Sequence, residues 1–359
     1  MNMEQKRRWH LDPLRIRQED IFVAGEVSKF TEYQIPVARF GRYEQGSGWK
    51  IGRLLLVGPS EWDEHDISMS HLYATLGYDW AGDQMKLPPA KRHIALRWYE
   101  RYQSWQAFWN RSSNRERADC PIPGGAMELA ALATDLYYLR HADALPAKLI
   151  SRIKHSDQFQ GARYEVAIAG ALARLGFEIT WQEASGKHHD FDARCPSSGE
   201  SFAIETKSRH VQGTLHTSGP RDSEDDRRFK GHRQYQEAAR QGPSDRPFII
   251  CIDLNAPMDD LNAPDPLAID EKIHEMATRL PGADSGVSPQ ALLVFTNFSW
   301  HYNEDLPFIQ PGVEYVGTSH TRKNFHRIEP LAGLIRALDD RCNCYLMGRV
   351  AAANPPRRP

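Results

Sequence analysis

The chain is poor in cysteine, and this weighs against a disulfide-stapled or zinc-finger protein. Its five cysteines, at positions 120, 195, 251, 342 and 344, are an odd number scattered through 359 residues. We therefore expect reduced thiols. Cys342 and Cys344 could supply two zinc ligands, but no second Cys or His pair stands at finger-like spacing, which disfavours a structural zinc.

Long apolar runs and net charge are also lacking. Residues 1–20 are charged and have no apolar core of the kind found in signal peptides, and no later segment offers about 18 consecutive apolar residues for a membrane span. The formal net charge is -2, so any binding of nucleic acid must rest on a local patch. We expect a soluble, cytoplasmic protein with no membrane partner.

The composition is that of a folded protein, with 40% hydrophobic and 26% charged residues. A polar break at residues 111–119, followed by prolines and glycines, predicts a boundary near residue 120. We expect an amino-terminal region at 1–120, a helical linker at 121–160, an α/β domain at 161–345 and a disordered tail at 346–359. The amino-terminal region is expected to be separate, and either α+β or mostly helical.

Within the amino-terminal region, residues 1 to about 85 indicate short strands and loops. The segment 88–109 has the period of an amphipathic helix. Its apolar stripe consists of Ile94, Trp98, Tyr102, Trp105 and Trp109. Aromatic side chains can stack on unpaired bases, but a stripe at helical spacing favours a place in the core.

The α/β domain is predicted from alternating helix and strand patterns. Helices are expected over 127–139, 146–153, 161–176, 227–241 and 268–280, and strands over 177–181, from about 189, and over 201–208, 247–253 and 291–296. In the helix at 161–176, Glu165 lies at the edge of the apolar stripe, while Arg163 and Arg174 lie opposite. Glu165 either faces the neighbouring sheet or extends to water.

Two short segments carry the chemistry: Asp190-Phe191-Asp192, and Ala203 to Lys207. Strand alternation places Glu205 and Lys207 on one face. A hairpin turn at 196–199 would bring Asp190 beside Glu205. Paired carboxylates suit Mg²⁺, and a cation beside an ammonium group suits hydrolysis of a phosphodiester. The competing interpretation of Glu205 and Lys207 is an ordinary surface ion pair.

The order of these elements, over roughly residues 145–300, resembles the PD-(D/E)XK nuclease superfamily. The resemblance implies a restriction-endonuclease-like mixed sheet flanked by helices. It implies that Asp190 and Glu205 bind Mg²⁺, with Mn²⁺ as an alternative, and that Lys207 orients or activates the attacking water. Glu165 becomes an accessory metal ligand or base.

Two features of the resemblance leave alternatives open. His189 stands where proline is usual in the motif, and Asp192, two positions along the strand from Asp190, competes for the ligand role. The later helix of the superfamily often carries a glutamine or a basic residue. The candidates here are Lys230, Gln234 and Gln236.

Other polar groups surround the predicted site. His188 and His189 could be metal ligands or acid catalysts, although a loop surface is the favoured interpretation. A basic neighbourhood could contact phosphates, although charge alone favours a solvated loop and helix face. Its members are Lys187, Arg209, His210, Arg221, Arg227, Arg228, Lys230 and Arg233.

The resulting hypothesis is a metal-dependent nuclease, with DNA favoured over RNA by the resemblance, whose amino-terminal region could help to recognise the substrate. The first alternative is a nuclease-fold module that binds nucleic acid or acts as a scaffold without hydrolysis. A second is a helical interaction protein with an exposed aromatic stripe and no hairpin at 190–207. A homodimer is an open alternative for the oligomeric state.

Overall fold

The structure is a computed structural model, and it describes two β-sheets and the helices that surround the larger one. The described residues are 39–43, 46–51, 54–58, 64–112, 122–182, 188–196, 199–220, 231–242, 246–257, 291–304 and 318–319. The predicted helix at 268–280, Cys342 with Cys344 and the predicted tail at 346–359 lie outside these residues.

The smaller sheet lies early in the chain. Its antiparallel strands, in spatial order, are β1 (Arg39–Tyr43), β2 (Gly46–Ile51) and β3 (Leu54–Gly58). The prediction of short strands in this region is confirmed here.

The same prediction was wrong for residues 64–85, which form helices α1 (Glu64–Leu76) and α2 (Tyr78–Met85) instead of strands and loops. In α1, Met69, Leu72 and Leu76 recur at steps of three and four and are buried. This helical signal is present but is interrupted by polar residues such as His71, which is itself buried.

Four further helices confirm the periodicities of the sequence up to residue 176. They are α3 (Ile94–Arg111), α4 (Gly124–His141), α5 (Ala147–Lys154) and α6 (Ser156–Arg174). Prolines precede α4 and α5 as their N-cap residues, at Pro123 and Pro146. Extended backbone at each cap sets the start of the helix.

The aromatic stripe of α3 belongs to the core. Ile94, Trp98, Tyr102 and Trp105 are each no more than 5% exposed, which confirms the core interpretation. The side chain of Trp109 lies outside what is described. The interaction-protein hypothesis, which required an exposed stripe, is therefore wrong on this point.

Helix α6 is buried on almost every side, since nearly all residues from Phe159 to Ala173 are buried. Arg163, which helical spacing placed opposite the apolar stripe, is buried as well. Arg163 is 1% exposed and its Nη1 donates to Glu128 of α4 at 2.6 Å. Helices α4 and α6 approach closely at Gly170, where an added Cβ would lie 2.9 Å from the Cβ of Asp135.

The larger sheet is mixed and has helices on its faces, which confirms the α/β class. Its strands, in spatial order, are β4 (Glu178–Trp181), β5 (Phe191–Arg194), β6 (Ser201–Ser208), β7 (Phe248–Asp253), β8 (Ala291–Thr296) and β9 (Thr318–Ser319). Strands β4 to β6 pair antiparallel, β6 to β8 pair parallel, and β9 is antiparallel to β8. The predicted β5–β6 hairpin is present, contrary to the interaction-protein hypothesis.

The two faces of this sheet pack on different cores. Phe202 and Ile204 join the large cluster that includes α3, α4 and α6, whereas Ala203 and Ile250 join a smaller cluster with helix α7 (Gly231–Ala239). Because side chains alternate along β6, Glu205 and Lys207 share the α7 face with Ala203. The predicted strand, helix and strand crossover from β6 through α7 to the parallel strand β7 is confirmed.

The large cluster is continuous from Met69 to Trp300. Helices on both sides of the predicted boundary near residue 120 contribute to it, while residues 113–121 themselves are outside the described chain. The predicted domain boundaries stay predictions. Among the described residues, no helix combines the length and the apolar character needed to cross a membrane.

Candidate active site

Asp190 is anchored to β6 at the peptide that follows Glu205. Its Oδ2 accepts hydrogen bonds from the backbone N–H of Thr206 at 2.8 Å and from the hydroxyl of Thr206 at 2.7 Å. The backbone N–H of Asp190 donates to the carbonyl of Ile204 at 3.0 Å. The hairpin therefore fixes Asp190 beside Glu205, as the sequence predicted.

Glu205 is fully buried and forms an ion pair with Lys207, whose side chain is 24% exposed. Gln241, just beyond α7, also lies against this carboxylate. With its amide nitrogen facing Glu205, it donates to Oε2 at 2.9 Å and to the carbonyl of His188 at 3.2 Å. Burial and the charge of Asp190 raise the pKa of Glu205 to about 8, although Lys207 opposes this.

Glu165 lies on α6 and faces the protein interior, since the residue is 8% exposed. The alternative in which it extends to water is therefore wrong. Both of its oxygens are bound by Arg152 of α5, at 2.5 Å from Nη1 to Oε2 and 2.6 Å from Nη2 to Oε1. Burial raises the pKa of Glu165 above its usual value, Arg152 opposes the shift, and Asp190 adds to it.

These contacts join the sequence-predicted residues into one site. Asp190 raises the pKa of both Glu205 and Glu165, and Lys207 acts electrostatically on both glutamates in the opposite direction. The three acids, from α6, the β5–β6 hairpin and β6, and Lys207 therefore lie within electrostatic reach of one another. Arg152 of α5 binds one of these acids, Glu165.

The donor set fits a hard divalent cation in chemistry but is not arranged as a closed cage. Within the described part of the chain, no group of three or more His, Cys, Asp or Glu side chains is placed to hold a metal ion. Glu165 is bound by Arg152 and Glu205 by Lys207, whereas both hydrogen bonds to the Asp190 carboxylate reach Oδ2. Mg²⁺ commonly takes only one or two protein carboxylates and retains waters, which Asp190 and Glu205 could satisfy.

Asp192 is held by other partners. Its Oδ1 lies 3.0 Å from His189 Nε2 and 3.2 Å from Arg246 Nη1, and its Oδ2 accepts from Gln182 at 2.7 Å. This geometry favours Asp190 over Asp192 as the acid of the cluster. His189 is therefore a partner of Asp192, and Nδ1 of His188 lies 2.9 Å from the carbonyl of His189.

Sequence reasoning missed Arg152 and Gln241. Of the candidates for the later helix, Lys230 lies outside the described residues and Gln236 is exposed. The glutamine that contacts Glu205 is Gln241, not Gln234 or Gln236. The basic neighbourhood is described only at Arg209, His210 and Arg233. Of these, Arg233 is exposed and pairs with Glu237 on its own helix.

The chain has no significant match among protein-family models, curated proteins or solved structures.

Proposed function

We propose that this protein is a metal-dependent nuclease with a restriction-endonuclease-like catalytic domain that hydrolyses phosphodiester bonds, in DNA rather than RNA. The observation that carries the proposal is the anchoring of Asp190 to Thr206, the residue between Glu205 and Lys207, at a hairpin beside a parallel strand pair, with Glu165 within electrostatic reach. Buried acids with raised pKa values, beside a lysine, are typical of functional sites.

In this proposal Asp190 and Glu205 hold Mg²⁺ or Mn²⁺. The cation would stabilise the negative charge that develops on the phosphate during cleavage. Lys207, whose side chain is 24% exposed, would orient the attacking water through its compact ammonium group. Gln241 also binds the Glu205 carboxylate, which helps to hold this carboxylate in place during the reaction.

One observation favours the alternative of a nuclease-fold module that binds nucleic acid without hydrolysis. Glu165 and Glu205 each already have a cationic partner within the chain. A site neutralised in this way could bind a phosphate backbone through Arg152 and Lys207 without a metal.

The test compares cleavage of supercoiled plasmid, single-stranded DNA and RNA in Mg²⁺, Mn²⁺ or chelator. We expect cleavage of DNA that chelator abolishes, and a loss of about 100-fold or more in Glu205→Ala and Lys207→Ala. Glu178→Ala and Lys91→Ala are matched controls, because both residues lie on exposed or part-exposed surface away from the cluster.

If the parent binds DNA but never cleaves it, the binding module replaces the nuclease. If the parent cleaves and both active-site variants cleave equally well, the assigned residues are wrong.

A further inference from the structure

The contact between Arg152 and Glu165 indicates roles that differ from the accessory metal ligand or base expected of Glu165. We propose that Arg152 supplies the second positive charge of the site and contacts the phosphate that is cleaved, while Glu165 is a positioning residue that holds Arg152. The site would then bind a single divalent cation, through Asp190 and Glu205. This inference rests on the proposed nuclease function.

The first support is the geometry of the pair. Arg152 donates to both oxygens of Glu165, so each oxygen already bears a guanidinium N–H. A parallel two-bond contact of this kind is strong and orients the guanidinium plane. Glu165 could bind a metal ion only after this charged two-bond contact is broken, whereas the described partner of Glu205 Oε2 is the neutral amide of Gln241.

The second support is the exposure of the two partners. The side chain of Glu165 is 11% exposed, whereas that of Arg152 is 31% exposed, so the arginine forms the outer part of the pair. Arg152 Nη2 lies 3.8 Å from the position that a Cβ on Gly161 would take, one helical turn before Glu165 on α6. The guanidinium therefore lies along α6.

The third support is the hydrogen-bonding capacity of arginine. A guanidinium has five N–H groups, and the contact with Glu165 uses two of them. The others can bind phosphate oxygens, for which the planar fork of arginine is well suited.

The charges around Arg152 also support its proposed role as the second positive charge of the site. Arg152 is attracted by Asp190 as well as by Glu165, so its positive charge also acts on the carboxylate proposed to bind the cation. A second divalent cation bound to Glu165 would face a fixed guanidinium charge and would be repelled. One metal ion plus one arginine provides the needed charge without this conflict.

The experiment measures Mn²⁺ binding by titration calorimetry and DNA cleavage under single-turnover conditions. We expect one Mn²⁺ per chain in the parent, in Glu165→Gln and in Arg152→Gln, with dissociation constants within about threefold of one another. Cleavage should fall by about 100-fold or more in Arg152→Gln. It should fall by at least about tenfold in Arg152→Lys, because lysine cannot form the two-bond contact.

The control pair is Arg194→Gln and Glu178→Gln. These residues form a similar contact of 2.5 Å on strands β4 and β5, but both side chains are more than half exposed. Both variants should bind Mn²⁺ and cleave like the parent. Circular dichroism melting of each variant separates loss of function from loss of the fold, and Arg152→Lys retains the charge if Arg152→Gln does not fold.

Two Mn²⁺ per chain in the parent, falling to one in Glu165→Gln, would overturn the inference while leaving the nuclease function intact. So would parental cleavage by Arg152→Gln. A parent that neither binds Mn²⁺ nor cleaves would overturn the nuclease function together with the inference.

Discussion

The surroundings of Glu205 conflict with a negative charge on its side chain. Its side chain is fully buried and has acidic neighbours in Asp190 and Glu165, and Lys207 offsets only part of the cost. Burial of a carboxylate is unfavourable unless a cation or hydrogen bonds compensate it. In the proposed enzyme a divalent cation provides the missing compensation.

This conflict predicts how the stability of the metal-free protein depends on pH. The pKa of Glu205 is about 8 in the folded protein, against 4.5 as the ordinary value. Between these values the unfolded chain releases the proton while the folded chain keeps it. The free energy of unfolding should therefore fall as pH rises through this window, by about 3 to 5 kcal/mol for this group.

The measurement is chemical unfolding from pH 4.5 to 8 in chelator, for the parent and for Glu205→Gln. The fall should be smaller in Glu205→Gln by a few kcal/mol, and Glu178→Gln, whose side chain is 58% exposed, should follow the parent. Equal pH dependence in the parent and in Glu205→Gln would show that Glu205 titrates normally in the folded state.

At this scale, the sequence predicts some of the site and leaves out the rest for a physical reason. Strand alternation predicts that Glu205 and Lys207 share a face, and a recognisable hairpin turn predicts that Asp190 lies beside β6. Both predictions succeed because they use local patterns. Arg152 and Gln241 reach the site from a preceding helix and from a turn after a helix. Their contacts depend on how those elements dock, which no local pattern specifies.

Among the elements, α6 matters for stability because nearly all of its residues from Phe159 to Ala173 are buried. Arg163 is buried there, 2.6 Å from Glu128 and 3.6 Å from Asp253. Removing one partner of a buried ion pair leaves an uncompensated charge in the interior. The loss of this contact should therefore lower the free energy of unfolding more than the loss of a surface ion pair.

We expect Arg163→Leu to lower the free energy of unfolding by about 3 to 5 kcal/mol, because Glu128 and Asp253 would keep buried charges without the guanidinium. Arg194→Leu, which removes an exposed partner of Glu178, should cost no more than about 1 kcal/mol. Urea unfolding of both variants checks this. Similar small losses in both would mean that Arg163 is not buried in this network.

Elements with a single, uninterrupted pattern were predicted well. Strand β6 was expected over 201–208 and is found as Ser201–Ser208, and the apolar run of β7 was placed within one residue of its observed start. Helix α1 was missed because buried polar residues, His71 and Ser68, interrupt its apolar period. The role of Arg163 was missed because helical spacing cannot show that a helix is surrounded on all sides.

For the molecule as a whole, the arrangement of layers explains where the site lies. The large core fixes α5 and α6 against one face of the mixed sheet, and α7 covers the other face. Asp190, at the start of β5, and Glu205, near the end of β6, lie where these layers meet, and Arg152 and Gln241 approach from opposite faces. The fold class is established by these elements, whereas the nuclease activity is a proposal about the site that they form.

The most direct test of that proposal is the rate at which supercoiled plasmid is nicked in Mg²⁺ by Asp190→Asn compared with Asp192→Asn. We expect a loss of about 100-fold or more in Asp190→Asn, because this carboxylate is proposed to bind the cation. Asp192→Asn, whose carboxylate is held by His189, Gln182 and Arg246, should change the rate only a few-fold. Chelator should abolish nicking by the parent. Parental nicking by Asp190→Asn, or cleavage that persists in chelator, would contradict the proposed function.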